Sequence, residues 1–195
     1  MIKKEIRIIA WDDCRFRFKS KKVRIIGVIF RGGLFLDGLL STIINKDGND
    51  ATDKIINSIL YSRHYNQLSI IMLDGISFAG FNLVDIKELN KKTKLPVIVV
   101  QRKKPNMKKF INALNIFSDS KKRKEIVKKA GKIYKYDKIF YQKYGLSINE
   151  CNEILKITCT RANIPEPIRV AHIIASGLSR QSKSASFVFE SRGRA

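Results

Sequence analysis

The chain has 195 residues, enough to bury a core in one domain, and its 44% hydrophobic content excludes a disordered tail. Lys and Arg number 39 against 17 Asp and Glu, a formal charge of +22. A surplus of that size repels itself unless a polyanion screens it, which points to nucleic acid, whereas a merely heat- or salt-adapted surface would carry matching Glu. Cys14, Cys151 and Cys159 are an odd, scattered set with no CxxC pair, so neither a disulfide framework nor a thiolate zinc site is expected. No signal peptide and no apolar run of membrane-spanning length is visible, so the expectation is a soluble, cytoplasmic protein with no membrane partner.

In chain order, Ile6 to Trp11 reads as a short buried strand ending at Asp12 and Asp13. Val23 to Arg31 is a second strand, Gly32-Gly33 a tight turn, and Leu34 to Asn45 a third strand, together an antiparallel meander. Asp50 and Asp53 frame a cap for a helix carrying Ile55, Ile56, Ile59 and Leu60 at helical spacing. Leu68 to Leu73 is an all-apolar strand that stops at Asp74-Gly75; Asn82 is read as the cap of a helix running to about Lys92, and Pro96 to Val100 as another buried strand. The resulting β-β-β-α-β-α-β order, three antiparallel strands and then helix-linked parallel ones, is that of an α/β, RNase H-like mixed sheet with helices on its faces. Beyond it lie two basic stretches (Lys103 to Lys109 and Lys121 to Lys132) and a Lys/aromatic alternation from Lys132 to Gly145 that suits either base stacking or a half-buried element with a basic face. A helix capped by Ser147 with Glu150 three residues on, a last apolar helix from Pro165 to Leu178, and a Ser/Arg-rich tail from Ser179 complete the chain, with no linker dividing it.

Acids are scarce, so their positions carry information. Asp12 ends the first strand and Asp74 the fourth; in this strand order the two are parallel neighbours, and their carboxylates meet. Two carboxylates held together repel unless a cation lies between them, and hard ions such as Mg²⁺ take carboxylate oxygens. Asp13 is a further candidate ligand, though the two-residue strand period points only one of the pair into the site. A third acid is expected from Asp47 or Asp50, for which a plain turn and a helix cap are the bland alternatives. Lys103, with Arg102 and Lys104 beside it, follows the fifth strand on the same rim and is placed to hold a phosphate. Lys108, Lys121, Lys122, Arg123, Arg180, Arg192 and Arg194 are candidate nucleic-acid contacts. His172, alone in an apolar helix, is read chiefly as a core residue, and Asp37 as an open-face or supporting group.

Several of these pieces together resemble the archaeal endonuclease dU family, which is related to endonuclease V: Asp12-Asp13, GVIFRGG with LDG (Gly27 to Gly38), KDGNDAT (Lys46 to Thr52), IMLDGISFAGFN (Ile71 to Asn82), AHIIASGLSR (Ala171 to Arg180) and the terminal ESRGRA. They span nearly the whole chain. Two departures are that Cys14 and Arg15 follow the acid pair, and that Gln181 to Phe189 separates the last helix from the terminal motif. The resemblance implies a Mg²⁺-dependent (or Mn²⁺-dependent) endonuclease acting on DNA that contains deoxyuridine, with Asp12, Asp74 and Asp47 or Asp50 at the metal and Lys103 beside it. RNA as the substrate, and a non-catalytic nucleic-acid-binding protein on the same fold, are the alternatives.

Overall fold

The computed structural model describes residues 2–181, with side chains to residue 178. The candidate contacts Arg180, Arg192 and Arg194 and the interrupted terminal motif therefore lie outside the described side chains.

β1 (Arg7–Asp13), β2 (Lys22–Arg31) and β3 (Phe35–Asn45) form the expected antiparallel meander, turned at Gly32, whose φ of +54° suits a residue without Cβ. α1 (Ala51–Leu60) follows, then β4 (Ile70–Asp74), a two-residue ribbon of β5 (Ser77–Phe78) and β6 (Asn82–Leu83), α2 (Ile86–Thr93) and β7 (Val97–Gln101). β4 lies parallel to β1 and β7 parallel to β4, in the arrangement of an RNase H-like sheet. Next come α3 (Met107–Ala113) and α4 (Ser120–Lys129), then β8 (Tyr134–Tyr136) and β9 (Ile139–Tyr144), then α5 (Ile148–Thr158) and α6 (Glu166–Gln181). β9 pairs antiparallel with β7, so the full order is β3-β2-β1-β4-β7-β9-β8.

The Lys/aromatic alternation is thus a hairpin on the sheet. Tyr141 is fully buried and stacks on Tyr134 with centroids 5.5 Å apart, which accounts for those two rings without a base.

Alternation along the strands builds two cores. Ile9, Trp11, Ile71 and Leu73 face α1 and α2, while Ile8, Ala10, Ile70 and Met72 face α5 and α6. Gly27, opposite Trp11 on β2, leaves the indole its room: a Cβ there would lie 2.8 Å from the ring. α6 packs across β1 and β2 through Ile168, Ala171 and Ala175.

Two helix starts are capped differently from the expectation. Asp85 caps α2, accepting from Lys87 N and Glu88 N at 3.1 Å each. Asn82 sits instead on β6, fully buried, and its Oδ1 accepts from Ala51 N at 3.0 Å. It therefore caps α1 across 31 residues of chain, and Asp50, at the N-cap position, makes no side-chain cap bond.

Candidate active site

β1 extends through both acids of the Asp12-Asp13 pair, so strand alternation separates them. Asp12 shares the parity of Ile8 and Ala10 and points toward α6. Asp13 shares that of Ile9 and Trp11, and its Oδ2 accepts from Ala79 N at 2.5 Å in the turn between β5 and β6. On β4, Asp74 shares the parity of Ile70 and Met72. The parallel register pairs Trp11 with Leu73, so the next step places Asp12 beside Asp74 on the same face.

The third member of this cluster is His172. Its Nδ1 lies 2.8 Å from Asp12 Oδ2 and donates to it when Asp12 is ionised. Ligand atoms from Asp12, Asp74 and His172 all fall within 4.8 Å of one another. They open onto a cleft of about 560 Å³ lined also by Asp13, Cys14, Arg15, Phe16 and Ser176. His172 was the residue that sequence reasoning passed over. The small residues Ala171 and Ala175 bring α6 close to the sheet, and the intervening histidine then reaches the strand ends. The only sequence signal was its place inside the AHIIASGLSR segment.

Burial and mutual repulsion dominate the electrostatics. Asp12 is lifted to about 7, first by burial and then by the charge of Asp74, against the opposing hydrogen bond from His172. Burial also raises Asp13 and Asp74, although the Arg102 guanidinium opposes the shift at Asp74, with Nη2 3.5 Å from Oδ2. Three acids each pushed toward neutrality at one strand edge make a site short of positive charge.

The other expected acids sit elsewhere. Asp50 accepts from Asn45 N and Nδ2 and from Asn82 Nδ2, at 2.6–3.3 Å, which fixes the end of β3 against β6. Asp47, in a left-handed conformation at φ +53°, accepts from Phe81 N at 2.9 Å while its own N donates to Ala79 O. Asp13 and Asp47 thus hold the same β5–β6 turn, and neither Asp47 nor Asp50 belongs to the Asp12–Asp74–His172 group. Asp37 bridges Arg7 and Arg31, away from the cleft.

Among the cations, Arg102 touches the cluster, whereas Lys103 and Lys104 lie exposed in the loop after β7. Lys108, Lys121 and Lys122 are exposed. Arg123 corrects the sequence reading, because it is buried: it donates to Asp119 Oδ1 and to the carbonyls of Asp47, Gly48 and Phe81, so it has no donor face toward nucleic acid.

A second cavity lies just past the ends of β4 and β7. It is mainly apolar, lined by Gly75, Ile76, Pro105, Met107, Phe110 and Val127, with Ser77, Gln101 and Gln142 supplying polar groups. Gln101 Oε1 is buried there with no hydrogen-bond partner among the described residues.

Residues 4–179 match the family model described as Endonuclease dU. The chain belongs to the Endonuclease dU family. It is 48% identical to the UPF0215 protein of Methanosarcina acetivorans over 201 residues, covering all of this chain and 97% of that one. A crystal structure from Archaeoglobus fulgidus, of a protein of unknown function, superposes with a TM-score of 0.84 at 38% identity, covering 89% of this chain and 98% of that one. Ciona intestinalis endonuclease V, solved with a 23mer DNA containing an inosine followed by a ribo-adenosine, superposes with a TM-score of 0.59 at 15% identity, covering 90% and 86%. At that identity the likeness carries the RNase H-like fold, and the fold and the Endonuclease dU family together support a nuclease. No described helix is long and apolar enough to cross a membrane.

Proposed function

We propose that this member of the Endonuclease dU family is a divalent-metal-dependent endonuclease that cuts DNA beside a deaminated base, with deoxyuridine the first candidate. The observation that carries this reading is the convergence of Asp12, Asp74 and His172 at the ends of two neighbouring strands, where burial raises both acids despite Arg102 beside Asp74. Two carboxylates and an imidazole suit Mn²⁺ as well as Mg²⁺, since the imidazole nitrogen is tolerated better by the softer ion. A cation bound there would supply Lewis acidity to the phosphodiester and a lowered pKa to an attacking water.

The chain's own groups supply the rest. Asp12, Asp74 and His172 would hold the cation, and in its absence the Nδ1 contact of His172 fixes the orientation of Asp12. Arg102, on the rim beside Asp74, attracts the phosphate and limits the repulsion between the acidic edge and the DNA backbone. The cavity past Asp74 takes the base: a stacked base hides its pairing edge, so inspection requires it to leave the helix. The unpartnered Gln101 oxygen is then an acceptor awaiting an N–H donor such as a base imide.

Cleavage of a duplex with one central deoxyuridine, with Mg²⁺, with Mn²⁺ and with EDTA, tests the reading beside inosine, undamaged DNA and matched RNA. Metal-dependent cutting confined to modified DNA is expected; tight binding with no cutting of any substrate overturns it. Gln101→Leu separates the pocket from the chemistry. It keeps the bulk and removes the amide, so preference for deoxyuridine over deoxycytidine at the same position, which has no imide N–H, falls about ten- to a hundredfold, the usual worth of a buried hydrogen bond to substrate. The apo protein becomes more stable, because an unsatisfied buried oxygen is gone. Unchanged preference in competition cleavage would remove Gln101 from base recognition.

A further inference from the structure

The loop that leaves the acid pair has a composition that the cleavage chemistry does not use. Between β1 and β2 the chain reads Arg15-Phe16-Arg17-Phe18-Lys19, alternating cation and aromatic, and all five side chains are exposed. Phe18 is 91% and Phe16 37% accessible. A phenylalanine left in water forgoes about 1.5–3 kcal/mol of burial, and what sets this tip apart from the other exposed apolar side chains is that two rings alternate with three cations beside the acidic cleft.

The loop is also held. Arg17 N donates to Ser20 Oγ at 3.1 Å and Ser20 N to Arg17 O at 3.0 Å, closing a turn with Phe18 and Lys19 at its tip. Lys46, at the end of β3, donates from Nζ to Phe18 O at 2.6 Å and lies 4.5 Å from the Phe18 centroid and 5.9 Å from that of Phe16. One buttressing cation therefore serves both rings and leaves most of the Phe18 surface to solvent. Arg15 and Phe16 line the same cleft as Asp12, Asp74 and His172.

We propose that the Arg15–Lys19 hairpin tip is a nucleobase-stacking finger: Phe18, and Phe16 behind it, pack against an unpaired base of the strand whose backbone lies in the cleft, while Arg15, Arg17 and Lys19 meet the flanking phosphates. The location rests on the nuclease reading of the cleft. Cations interleaved with rings are the arrangement by which proteins grip single strands without reading their sequence, each stacked base contributing about 1–3 kcal/mol. Beside a cleavage site, such a finger favours DNA that is locally open and fills the gap left by a displaced base.

Binding measured in EDTA separates this proposal from cleavage. The probes are a short oligodeoxythymidylate, the same strand with abasic sugars, and phosphatidylserine vesicles. Phe18→Ala is expected to weaken binding to the thymine-bearing strand about tenfold or more and to leave the abasic strand unaffected. Phe18→Trp restores binding, and its fluorescence is quenched by the thymine-bearing strand against the buried Trp11, the sole native tryptophan. Equal affinities of wild type and Phe18→Ala for the thymine strand overturn the proposal, as does an equal loss on both strands, or a Phe18 dependence seen with vesicles and not with oligonucleotides. Base-dependent binding through Phe18 without metal-dependent cleavage keeps the finger and removes the nuclease. Cleavage with binding insensitive to Phe18 does the reverse.

Discussion

Asp12→Asn lowers single-turnover cleavage by at least about a thousandfold while duplex affinity stays the same or rises. Asp12 is the hinge of the proposed centre: its carboxylate neighbours Asp74 along the parallel register and takes the His172 contact at 2.8 Å. An asparagine keeps the volume but loses the charge that would hold a cation. Affinity behaves oppositely because a carboxylate at the cleft repels phosphate and an amide does not. Rate and affinity measured on the same deoxyuridine duplex decide the matter. A variant that cuts at wild-type rate would remove Asp12 from the chemistry.

The same substitution has a readout that needs no substrate. Asp12 is lifted from the usual carboxylate range to about 7. Between roughly pH 4 and 7 the native protein therefore binds more protons than the unfolded chain, and stability falls as pH rises through that window. The protonated acid is well accommodated at low pH; its ionised form, buried beside Asp74, is not. In EDTA, wild type is accordingly expected to lose stability between those limits, and Asp12→Asn, which has no proton to lose, to melt higher at neutral pH and follow a flatter profile. Added Mn²⁺ should reverse the ranking, since binding to the native state alone stabilises by about 2.7 kcal/mol at a hundred times the dissociation constant. Thermal melts of both proteins across pH, with and without the metal, test this directly.

What the sequence disclosed follows from how local each signal is. Ile6 to Trp11 and Leu68 to Leu73 are apolar runs that end in acids, so both strands and the meeting of Asp12 with Asp74 could be read from one dimension. The split between Asp12 and Asp13 was equally present in the two-residue period, once β1 is known to run through both. His172 was not, because a lone histidine in an apolar helix has the same local pattern whether it faces a core or a cleft; the packing of α6 on β1 and β2 decides. Nor could local rules find a cap supplied to α1 by Asn82 on β6. Asp50, flanked by the usual capping signals, is instead occupied in clamping Asn45 to Asn82. The Lys/aromatic alternation read as strand or helix because its period fits an edge hairpin only when β7 is there to pair with β9.

Arg123 shows the same limit in the charge pattern, and its removal carries the largest expected cost in stability. It sits in KKRK, and a run of cations on a helix reads as a solvated or phosphate-binding face. α4 turns Arg123 inward while Lys121 and Lys122 stay exposed. Its guanidinium donates to Asp119 Oδ1 at 2.6 Å, to Asp47 O at 2.8 Å and to the carbonyls of Gly48 and Phe81, and it stacks on Phe117 at 4.2 Å. One fork thereby ties α4 to the segment after β3 and to the β5–β6 turn that Asp13 and Asp47 also hold. Arg123→Ala leaves three carbonyls and a carboxylate to find other partners, at a cost of about 3–5 kcal/mol, a large share of the ordinary stability of a domain. Arg123→Lys keeps the charge but cannot reproduce a planar fork of donors, so it falls between. Urea unfolding measures both. Nucleic-acid binding supplies the contrast: Lys121→Ala or Lys122→Ala leaves stability near wild type and, if that residue meets a phosphate, reduces the salt slope by about 1. Arg123→Gln, which removes the charge, leaves that slope unchanged when assayed where it is folded. A slope reduced by about 1 for Arg123→Gln with unaltered stability would place the guanidinium on DNA rather than in the scaffold.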